Sequence, residues 1–401
     1  MSFKAVKGTR DFYPEIMESR ISMFNTIRKT AKRYGFNQVD TPAFEEIKLL
    51  TAKSGEEVKN QIFVMEKRSN EEIGLRFDLT VPLTRMFIEK QKELPKPVKW
   101  FYISPMWRYE QPQKGRLREF YQFGVELFGS DKVQADAEVI SLAIDSLTNL
   151  GLTEKDIVIK INNRESLEKF LNKIKVKDTE RVIRIIDKKS KISENDFKKE
   201  LEFLELEQQK ELLRYLNSTE LPDELKQLFE LLKSSGKDKY VEYSPEIARG
   251  LAYYTGTVFE CSDRRGEYRA ILGGGRYDKM VEQFGGQNCP ATGFAMGDVV
   301  IELFLRDKGL WEIPKKEIDY YIAPVNNEYI NLALEITNNL RKNYNVEIDL
   351  LERKLSKQFN YADNINAKNV IIVGDETKEG KVKIKEMISG TEKEVDIKSL
   401  K

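Results

Sequence analysis

The chain has 401 residues, with 67 lysines and arginines against 66 aspartates and glutamates, so its formal net charge is +1. This balance shows no global preference for a polyanionic partner, and nucleic-acid binding would have to depend on local patches. The sequence contains no histidine, which excludes Ser–His and Cys–His nucleophile pairs, HExxH zinc sites and imidazole acid–base catalysis. A chain of this length is expected to form two or three domains.

Cysteine spacing and hydropathy predict a cytoplasmic protein without a membrane segment. Cys261 and Cys289 lack a metal-binding spacing; we expect reduced cytosolic thiols, with a disulfide as the open alternative. The sequence has no run of 18 apolar residues, and its first residues, MSFKAVKGTRDF, lack the apolar region of a signal peptide.

In the first part of the chain, residues 15–33 place apolar side chains at helical spacing behind Pro14, which predicts a helix. The next predicted elements are a loop and hairpin at 53–72, a strand at 75–80 leading into a helix near Val81–Pro82, a helix at 131–149 with Asp131 as a possible N-cap, and a strand at 157–163.

Within this part, residues 108–126 (RYEQPQKGRLREFYQFGVE) are the most informative segment. Apolar or aromatic segments on both sides of a Pro/Gly-containing loop predict an antiparallel strand pair. Gln122 and Glu126 are an even number of residues apart on the return strand, so their side chains face the same way. Because arginine binds planar oxyanions with two hydrogen bonds, such a hairpin suits a polyphosphate, with a cationic group near Glu126. A solvated hairpin with a charged tip is the alternative.

The middle of the chain changes character at residues 164–240, which are rich in Lys, Glu and Leu and have no glycine before Gly236. Their helical periodicity predicts a helical insertion between strands. The segment after it, ARGLAYYTGTVFE (248–260), sets an arginine beside paired tyrosines, and ILGGGRYDKM (271–280) follows. The glycines of this run permit close backbone approach. They fit neither GxGxxG nor GxxxxGK[ST], so neither a Rossmann fold nor a P-loop is predicted.

From about Ile318 onward, alternating strands and helices predict a small α/β domain with a mostly parallel sheet, which follows a linker at 307–317. The predicted elements are strands at 319–324, 346–351 and 369–374, helices at 328–342 and 356–366, and two further strands at 381–387 and 392–398.

Together these segments resemble the histidine–tRNA ligases, a family of class II aminoacyl-tRNA synthetases. The motifs that carry the resemblance are KGTRDFYP (7–14), motif 1 at 34–46, the amino-acid-binding strand LRFDLTVPLTR (75–85), motif 2 at 108–126, the histidine-specific RGLAYYTGTVFE and GGGRYD, and motif 3 at 291–303. The resemblance implies an α+β fold with an antiparallel β-sheet flanked by helices. It implies a catalytic domain in two parts, 1–163 and 241–312, a helical insertion at 164–240 and an α/β anticodon-binding domain at 318–401.

An enzyme of this family activates L-histidine with ATP to histidyl-adenylate and pyrophosphate, then transfers histidine to the 3′ end of tRNA(His). The resemblance implies Mg²⁺ carried by ATP without a protein-only metal site, a homodimer formed through motif 1, and no membrane partner. It also implies that the insertion contacts the tRNA acceptor arm, with a stabilising helical cap that does not contact RNA as the alternative.

The resemblance also implies a set of site residues. Free histidine presents an ammonium, a carboxylate and two ring nitrogens, each needing a polar partner. The implied histidine-binding residues are Asp78, Thr80, Gln122, Glu126, Arg249, Tyr253 and Tyr254, with Asp78 and Gln122 at the ammonium and Glu126 and Tyr254 at the ring. An ordinary helix N-cap is the alternative for Asp78. The implied catalytic residues are Arg108 and Arg249, and the ATP-binding residues are Arg108, Glu110, Arg116, Arg249, Gly274 and Arg276, with Arg118 as a further candidate.

Two residues depart from the family pattern: Ala252 stands where the family often has aspartate, and Val300 where motif 3 has the arginine that holds the γ-phosphate. Arg276 is a candidate to replace that arginine. A histidine-sensing regulatory paralogue would lack the C-terminal domain and the motif 2 arginines, and a ligase for proline or threonine would not explain the tyrosine pair. The missing histidines are explained either by selection or engineering, since an enzyme that supplies histidine is then made without it, or by compositional drift.

Overall fold

The computed structural model describes residues 3–52, 59–65, 71–189, 192–249, 253–314 and 318–400. The chain divides into two compact units, Met1–Glu312 and Ile313–Lys401. In these described ranges, no helix is both long and apolar enough to cross a membrane. Cys261 and Cys289 are both buried free thiols, so the cysteines do not form the disulfide that the sequence left open.

The first unit is a sheet with helices packed around it. Its helices are α1 (Pro14–Arg33), α2 (Ile47–Thr51), α3 (Thr80–Lys90), α4 (Val133–Thr148), α5 (Arg164–Lys173), α6 (Thr179–Lys188), α7 (Glu194–Glu200), α8 (Leu206–Leu216), α9 (Asp223–Ser234), α10 (Met280–Gln283) and α11 (Asp298–Asp307). Its strands are β1 (Asn37–Gln38), β2 (Phe44–Glu46), β3 (Ile73–Leu75), β4 (Val98–Trp107), β5 (Glu119–Phe128), β6 (Ile157–Asn163), β7 (Val241–Tyr243), β8 (Thr257–Asp263), β9 (Leu272–Arg276) and β10 (Ala291–Gly297).

The large sheet of the described residues has eight strands in the order β1-β4-β5-β10-β9-β8-β6-β7. Only its two outermost pairs, β1 with β4 and β6 with β7, are parallel. Strands β4 and β5 form the antiparallel pair predicted for motif 2, with Trp107 opposite Glu119. Because side chains alternate along β5, Phe123 and Val125 enter the core under helix α4, and Gln122 and Glu126 face the opposite side.

Two local predictions in this unit are wrong. The strand expected at 75–80 is Ile73–Leu75, which pairs with β2, and helix α3 begins at Thr80. The backbone leaves the strand at Arg76, whose buried guanidinium donates to Asp40 at 2.8 Å and to the carbonyl of Pro105 at 3.1 Å. Asp131 is not an N-cap, because α4 begins at Val133, after Lys132. The loop and hairpin expected at 53–72 lie largely outside the described residues.

The described residues between 164 and 240 are mainly helical, as predicted, but their helices pack in two different places. Helices α5–α8 share an apolar core of their own, which includes Leu167, Ile183 and Phe197. Helix α9 instead buries Leu225 and Leu228 in the core of the large sheet. The last helix of the expected insertion is therefore part of the packing that supports the sheet.

The second unit confirms the predicted α/β pattern. Its strands are β11 (Ile318–Pro324), β12 (Val346–Ile348), β13 (Ala367–Val373), β14 (Lys381–Glu386) and β15 (Glu392–Asp396), and its helices are α12 (Ile330–Leu340) and α13 (Leu355–Asn364). The strand order is β12-β11-β13-β14-β15. The first three strands run parallel and the last two add as an antiparallel pair, which gives the mostly parallel core that the sequence predicts.

Candidate active site

A cavity of about 270 Å³ lies against the face of the large sheet that carries Gln122 and Glu126. Strands β4, β5, β9 and β10 contribute to its wall, together with segments before α3 and β8 and the start of α11. The structure brings ten of the predicted site residues together here: Asp78, Thr80, Arg108, Glu110, Arg116, Gln122, Glu126, Arg249, Tyr253 and Tyr254.

One end of the cavity is a buried polar cluster on β4 and β5. Gln122 and Glu126 are only 7% and 2% exposed. The hydroxyl of Tyr102 on β4 donates to Oε1 of Gln122 at 3.2 Å. Desolvation, and then the negative charges of Glu126 and Asp78, raise the pKa of Tyr102 well above its usual value, so this phenol remains a hydrogen-bond donor.

Tyr102 was not among the predicted site residues. Strand alternation places residues 102 and 104 on one face of β4, but the sequence does not show whether that face meets the cavity. The partner of Tyr102 across the strand pair is Gly124, and a Cβ at Gly124 would overlap the Tyr102 ring. The Tyr102 ring therefore lies over Gly124, and this contact can be inferred only from the register of β4 and β5.

The paired tyrosines form a second wall. The ring centroids of Tyr253 and Tyr254 are 4.5 Å apart, and Tyr277 meets Tyr253 edge to face at 6.0 Å. Tyr254 packs over Gly275, where a Cβ would lie 2.8 Å from its ring. Desolvation and the neighbouring Tyr254 raise the pKa of Tyr253 well above its usual value. Ala252, which departs from the family pattern, lies outside the described residues.

Arg108 is held at the mouth of the β4–β5 hairpin. Its Nε donates to the carbonyl of Phe77 at 3.0 Å, and its guanidinium carbon lies 5.0 Å from the centre of the Phe120 ring. Desolvation lowers the pKa of Arg108, and the nearby carboxylates of Asp78 and Glu110 oppose that shift. A desolvated guanidinium with Nη groups beside a cavity is suited to bind an anion there.

Arg249 approaches the sheet from the segment before β8. Its Nη1 forms an ion pair with Glu260 of β8 at 3.0 Å. Its backbone has φ of +46°, in the left-handed region that residues other than glycine rarely adopt. Such strain is often kept where a side chain has to be held in one place for function. Gly273 makes the position possible, because a Cβ there would overlap the Arg249 guanidinium.

The motif 2 loop carries the remaining predicted cations. Arg116 forms an ion pair with Glu110, and both line the cavity. Arg118 has a different environment: its Nε donates to the carbonyl of Glu110 at 3.1 Å, and its guanidinium packs 4.5 Å from the centre of the Tyr109 ring. Arg118 thus holds the loop in shape and lies outside the cavity lining.

Two predicted ATP-binding residues, Gly274 and Arg276, lie on the wrong face of β9. Gly274 packs against Phe259 and Phe294 in the core. The guanidinium of Arg276 pairs with buried Asp136 at 3.0 Å and with Asp278 at 3.1 Å. Both therefore serve the packing of the sheet, and Arg276 is not available to replace the arginine missing at Val300.

A buried ion pair that the sequence did not reveal supports the edge of the cavity. Asp298, at the start of α11, accepts from Arg20 of α1 at 2.5 Å and from Arg10 at 2.7 Å. Its other oxygen accepts the backbone N–H of Tyr121 on β5 at 2.8 Å. Arg20 is 2% exposed. These contacts fix the first turn of α11, where Val299 and Val300 line the cavity.

No group of three or more Asp, Glu, Cys or His side chains in the described ranges could hold a metal ion. A Mg²⁺ ion at this cavity would thus need oxygen ligands from a bound substrate, such as phosphates, in addition to protein carboxylates.

This antiparallel sheet, with arginines and a buried polar cluster in one cavity and with a separate α/β unit, defines a class II aminoacyl-tRNA synthetase. The family model for histidyl-tRNA synthetase matches residues 8–298, and the model for an anticodon-binding domain matches residues 319–401. The chain belongs to the histidyl-tRNA synthetase family.

Relatives and solved structures agree with this assignment. The chain is 40% identical to histidine–tRNA ligase of Pyrococcus furiosus over 419 residues and 38% identical to that of Haloarcula marismortui over 418 residues, each covering 98% of this chain and 96% of the relative. Histidyl-tRNA synthetases from Nostoc sp. PCC 7120 and from S. aureus, the latter without ligand, each superimpose with a TM-score of 0.77 at 25% identity. Each superposition covers 100% of this chain; it covers 99% of the Nostoc chain and 98% of the S. aureus chain.

Proposed function

We propose that the chain is a histidine–tRNA ligase, which forms histidyl-adenylate from L-histidine and ATP and transfers histidine to the 3′ end of tRNA(His). One observation carries this proposal: a single cavity joins a buried acid–amide–phenol cluster to Arg108 and Arg249. The first group suits an amino acid with a polar ring, and the second suits the phosphate and carboxylate that react with each other.

The cluster accounts for the choice of amino acid. Gln122 and Asp78 are assigned to the ammonium of histidine, with Thr80 beside them, and Glu126 and Tyr254 to its ring nitrogens. Tyr102 orients Gln122 through their hydrogen bond. A site that hydrogen-bonds both ring nitrogens leaves buried groups unpaired when it is offered an apolar analogue, which gives discrimination of roughly 10⁴ or more.

The arginines account for the chemistry. A carboxylate oxygen of histidine attacks the α-phosphorus of ATP, and the bond to pyrophosphate breaks. Arg108 and Arg249 align the two groups and stabilise the negative charge that develops on the phosphate. Glu110 and Arg116 belong to the loop that meets the nucleotide, and Mg²⁺ enters with the phosphates of ATP. This step requires no side chain to gain or lose a proton.

The partners follow from the two units. The second unit matches an anticodon-binding domain, so we assign it to tRNA(His), and the helical insertion to the acceptor arm. A homodimer through motif 1 is consistent with the exposed apolar side chain of Phe44 within this motif, which is 52% exposed. The cytoplasmic location expected from the sequence stays a prediction.

Charging of purified tRNA with each labelled amino acid tests the proposal, together with pyrophosphate exchange. Histidine alone should support both reactions. A histidine-sensing regulator would bind histidine without exchange, and a ligase of other specificity would exchange with another amino acid. Replacing Arg249 by alanine should abolish exchange while histidine binding stays measurable; unchanged turnover would show that Arg249 is misassigned.

A further inference from the structure

Three neighbouring residues of the cavity lining, Gly115, Leu117 and Val300, have no charged side chain. Of the arginines that line the cavity among the described residues, Arg116 is already paired with Glu110. Val300 is a buried apolar side chain. The triphosphate of ATP carries several negative charges, and under the proposed function its distal phosphates need a cation in addition to Arg108 and Arg249.

An arginine outside the predicted set lies beside this part of the cavity. The Cδ atom of Arg269 is 3.8 Å from the point that a Cβ on Gly115 would occupy, and Cγ2 of Val300 is 3.4 Å from the same point. Arg269 is exposed, and no carboxylate in the part of the chain that the structure describes forms an ion pair with it. The next residue, Ala270, lines the cavity.

The backbone that carries Arg269 is held in place from three sides. Buried Asp263 accepts the backbone N–H groups of Glu267 at 2.9 Å and Tyr268 at 3.0 Å. The ring of Tyr268 packs against Phe304, one turn along α11 from Val300, with centroids 5.3 Å apart. On the motif 2 side, Nζ of Lys114 lies 5.1 Å from the centre of the Tyr268 ring.

We propose that Arg269 binds the terminal phosphates of ATP and supplies the positive charge that Val300 cannot. The inference rests on the proposed function, since it assigns Arg269 to the ATP of that reaction. The Cδ atom of Arg269 lies beside Gly115 of the motif 2 loop, close to Val300 of α11, so the planar donors beyond it can reach an anion at that part of the cavity. Arginine suits the role because it binds phosphate oxygens two at a time.

The test compares three variants of the full-length protein. Arg269→Ala removes the group, Arg269→Lys keeps a point charge without the planar donors, and Arg265→Ala is the matched control, since Arg265 is an exposed arginine of the same loop. Two quantities are measured: the KM for ATP in histidine-dependent pyrophosphate exchange, and the equilibrium affinities for ATP and for a non-hydrolysable histidyl-adenylate analogue, which has no β- or γ-phosphate.

Arg269→Ala should weaken ATP binding by roughly 10- to 100-fold, which is the range expected for loss of a charge-assisted hydrogen bond. The affinities of Arg269→Ala for the adenylate analogue and for histidine should stay within about twofold of the wild-type values. This result would also show that the variant is folded. Arg269→Lys should fall between wild type and Arg269→Ala, and Arg265→Ala should match wild type.

The proposal is overturned if Arg269→Ala binds ATP like Arg265→Ala, or if it loses the adenylate analogue as strongly as ATP. Failure of the proposed function would give a different result: the wild-type protein itself would show no histidine-dependent pyrophosphate exchange. The ATP affinities of the variants still decide the role of Arg269 in that case.

Discussion

Replacing Gly273 by alanine should inactivate the enzyme without unfolding it. A Cβ at this position would lie 2.0 Å from Nη1 of Arg249, whereas ordinary contact begins at 3.4 Å, so the guanidinium has to retreat by about 1.4 Å. The atoms that move are the far end of a flexible side chain, so the fold can accommodate them. A misplacement of about 1 Å at a reacting centre can reduce the rate by roughly 10²-fold. We therefore expect pyrophosphate exchange to fall at least that far.

The adjacent residue provides the matched control. A Cβ on Gly274 would lie 2.6 Å from both Phe259 and Phe294 and would overlap the backbone carbonyl of Gly293 on β10. Backbone and packed rings cannot retreat as a side chain can, so Gly274→Ala should reduce the free energy of unfolding by roughly 1–3 kcal/mol or more. Gly273→Ala should leave stability unchanged or raise it by about 0.4–1 kcal/mol, because alanine restricts the unfolded chain.

Thermal unfolding and pyrophosphate exchange, measured on both variants, separate the two effects. The reasoning is refuted if Gly273→Ala keeps its exchange rate within about twofold of wild type, or if both variants lose stability equally.

Three further predictions concern the buried charges. Glu126→Gln should weaken histidine binding by roughly tenfold or more and leave ATP binding unchanged; equal losses would exclude the ring contact. Arg20→Ala removes one partner of buried Asp298 and should cost roughly 3 kcal/mol of stability in chemical denaturation, against less than about 0.5 kcal/mol for Lys29→Ala, since Lys29 is an exposed residue of the same helix. Stability should be flat between about pH 6 and 8, because the chain has no histidine. Above about pH 8.5 it should fall, because buried cysteines and tyrosines with a raised pKa stay protonated when folded but ionise when unfolded; a step in the melting temperature near pH 6.5 would contradict this.

The parts of the site that could be predicted are those set by local periodicity. Strand alternation alone places Gln122 and Glu126 on one face, and the structure puts both in the cavity. The same rule predicts that Gly274 and Arg276 share a face, which they do. The sequence does not say which face of β9 meets the core, because that depends on pairing with strands distant in the chain. The error about Arg276 has this cause.

The residues that sequence analysis missed depend on tertiary contacts. Tyr102 is recognisable only when its strand partner is known to be a glycine. Arg20 and Asp298 are 278 positions apart in the sequence, and an isolated arginine on an amphipathic helix predicts solvent exposure. Helical periodicity predicts helix α9 correctly, but its packing against the large sheet follows from the topology and has no local signal.

A catalytic site without imidazole is consistent with what this cavity does. Adenylate formation needs fixed charges at fixed places, because the carboxylate of histidine is already ionised and pyrophosphate leaves without a proton from the enzyme. The structure provides such charges: Glu260 holds Arg249, Phe77 and Phe120 hold Arg108, and desolvation keeps Tyr102 neutral as a donor. Histidine is the one side chain whose unperturbed pKa lies between about 5 and 8, and this chain has none. A chain with no histidine of its own therefore loses no step of this reaction.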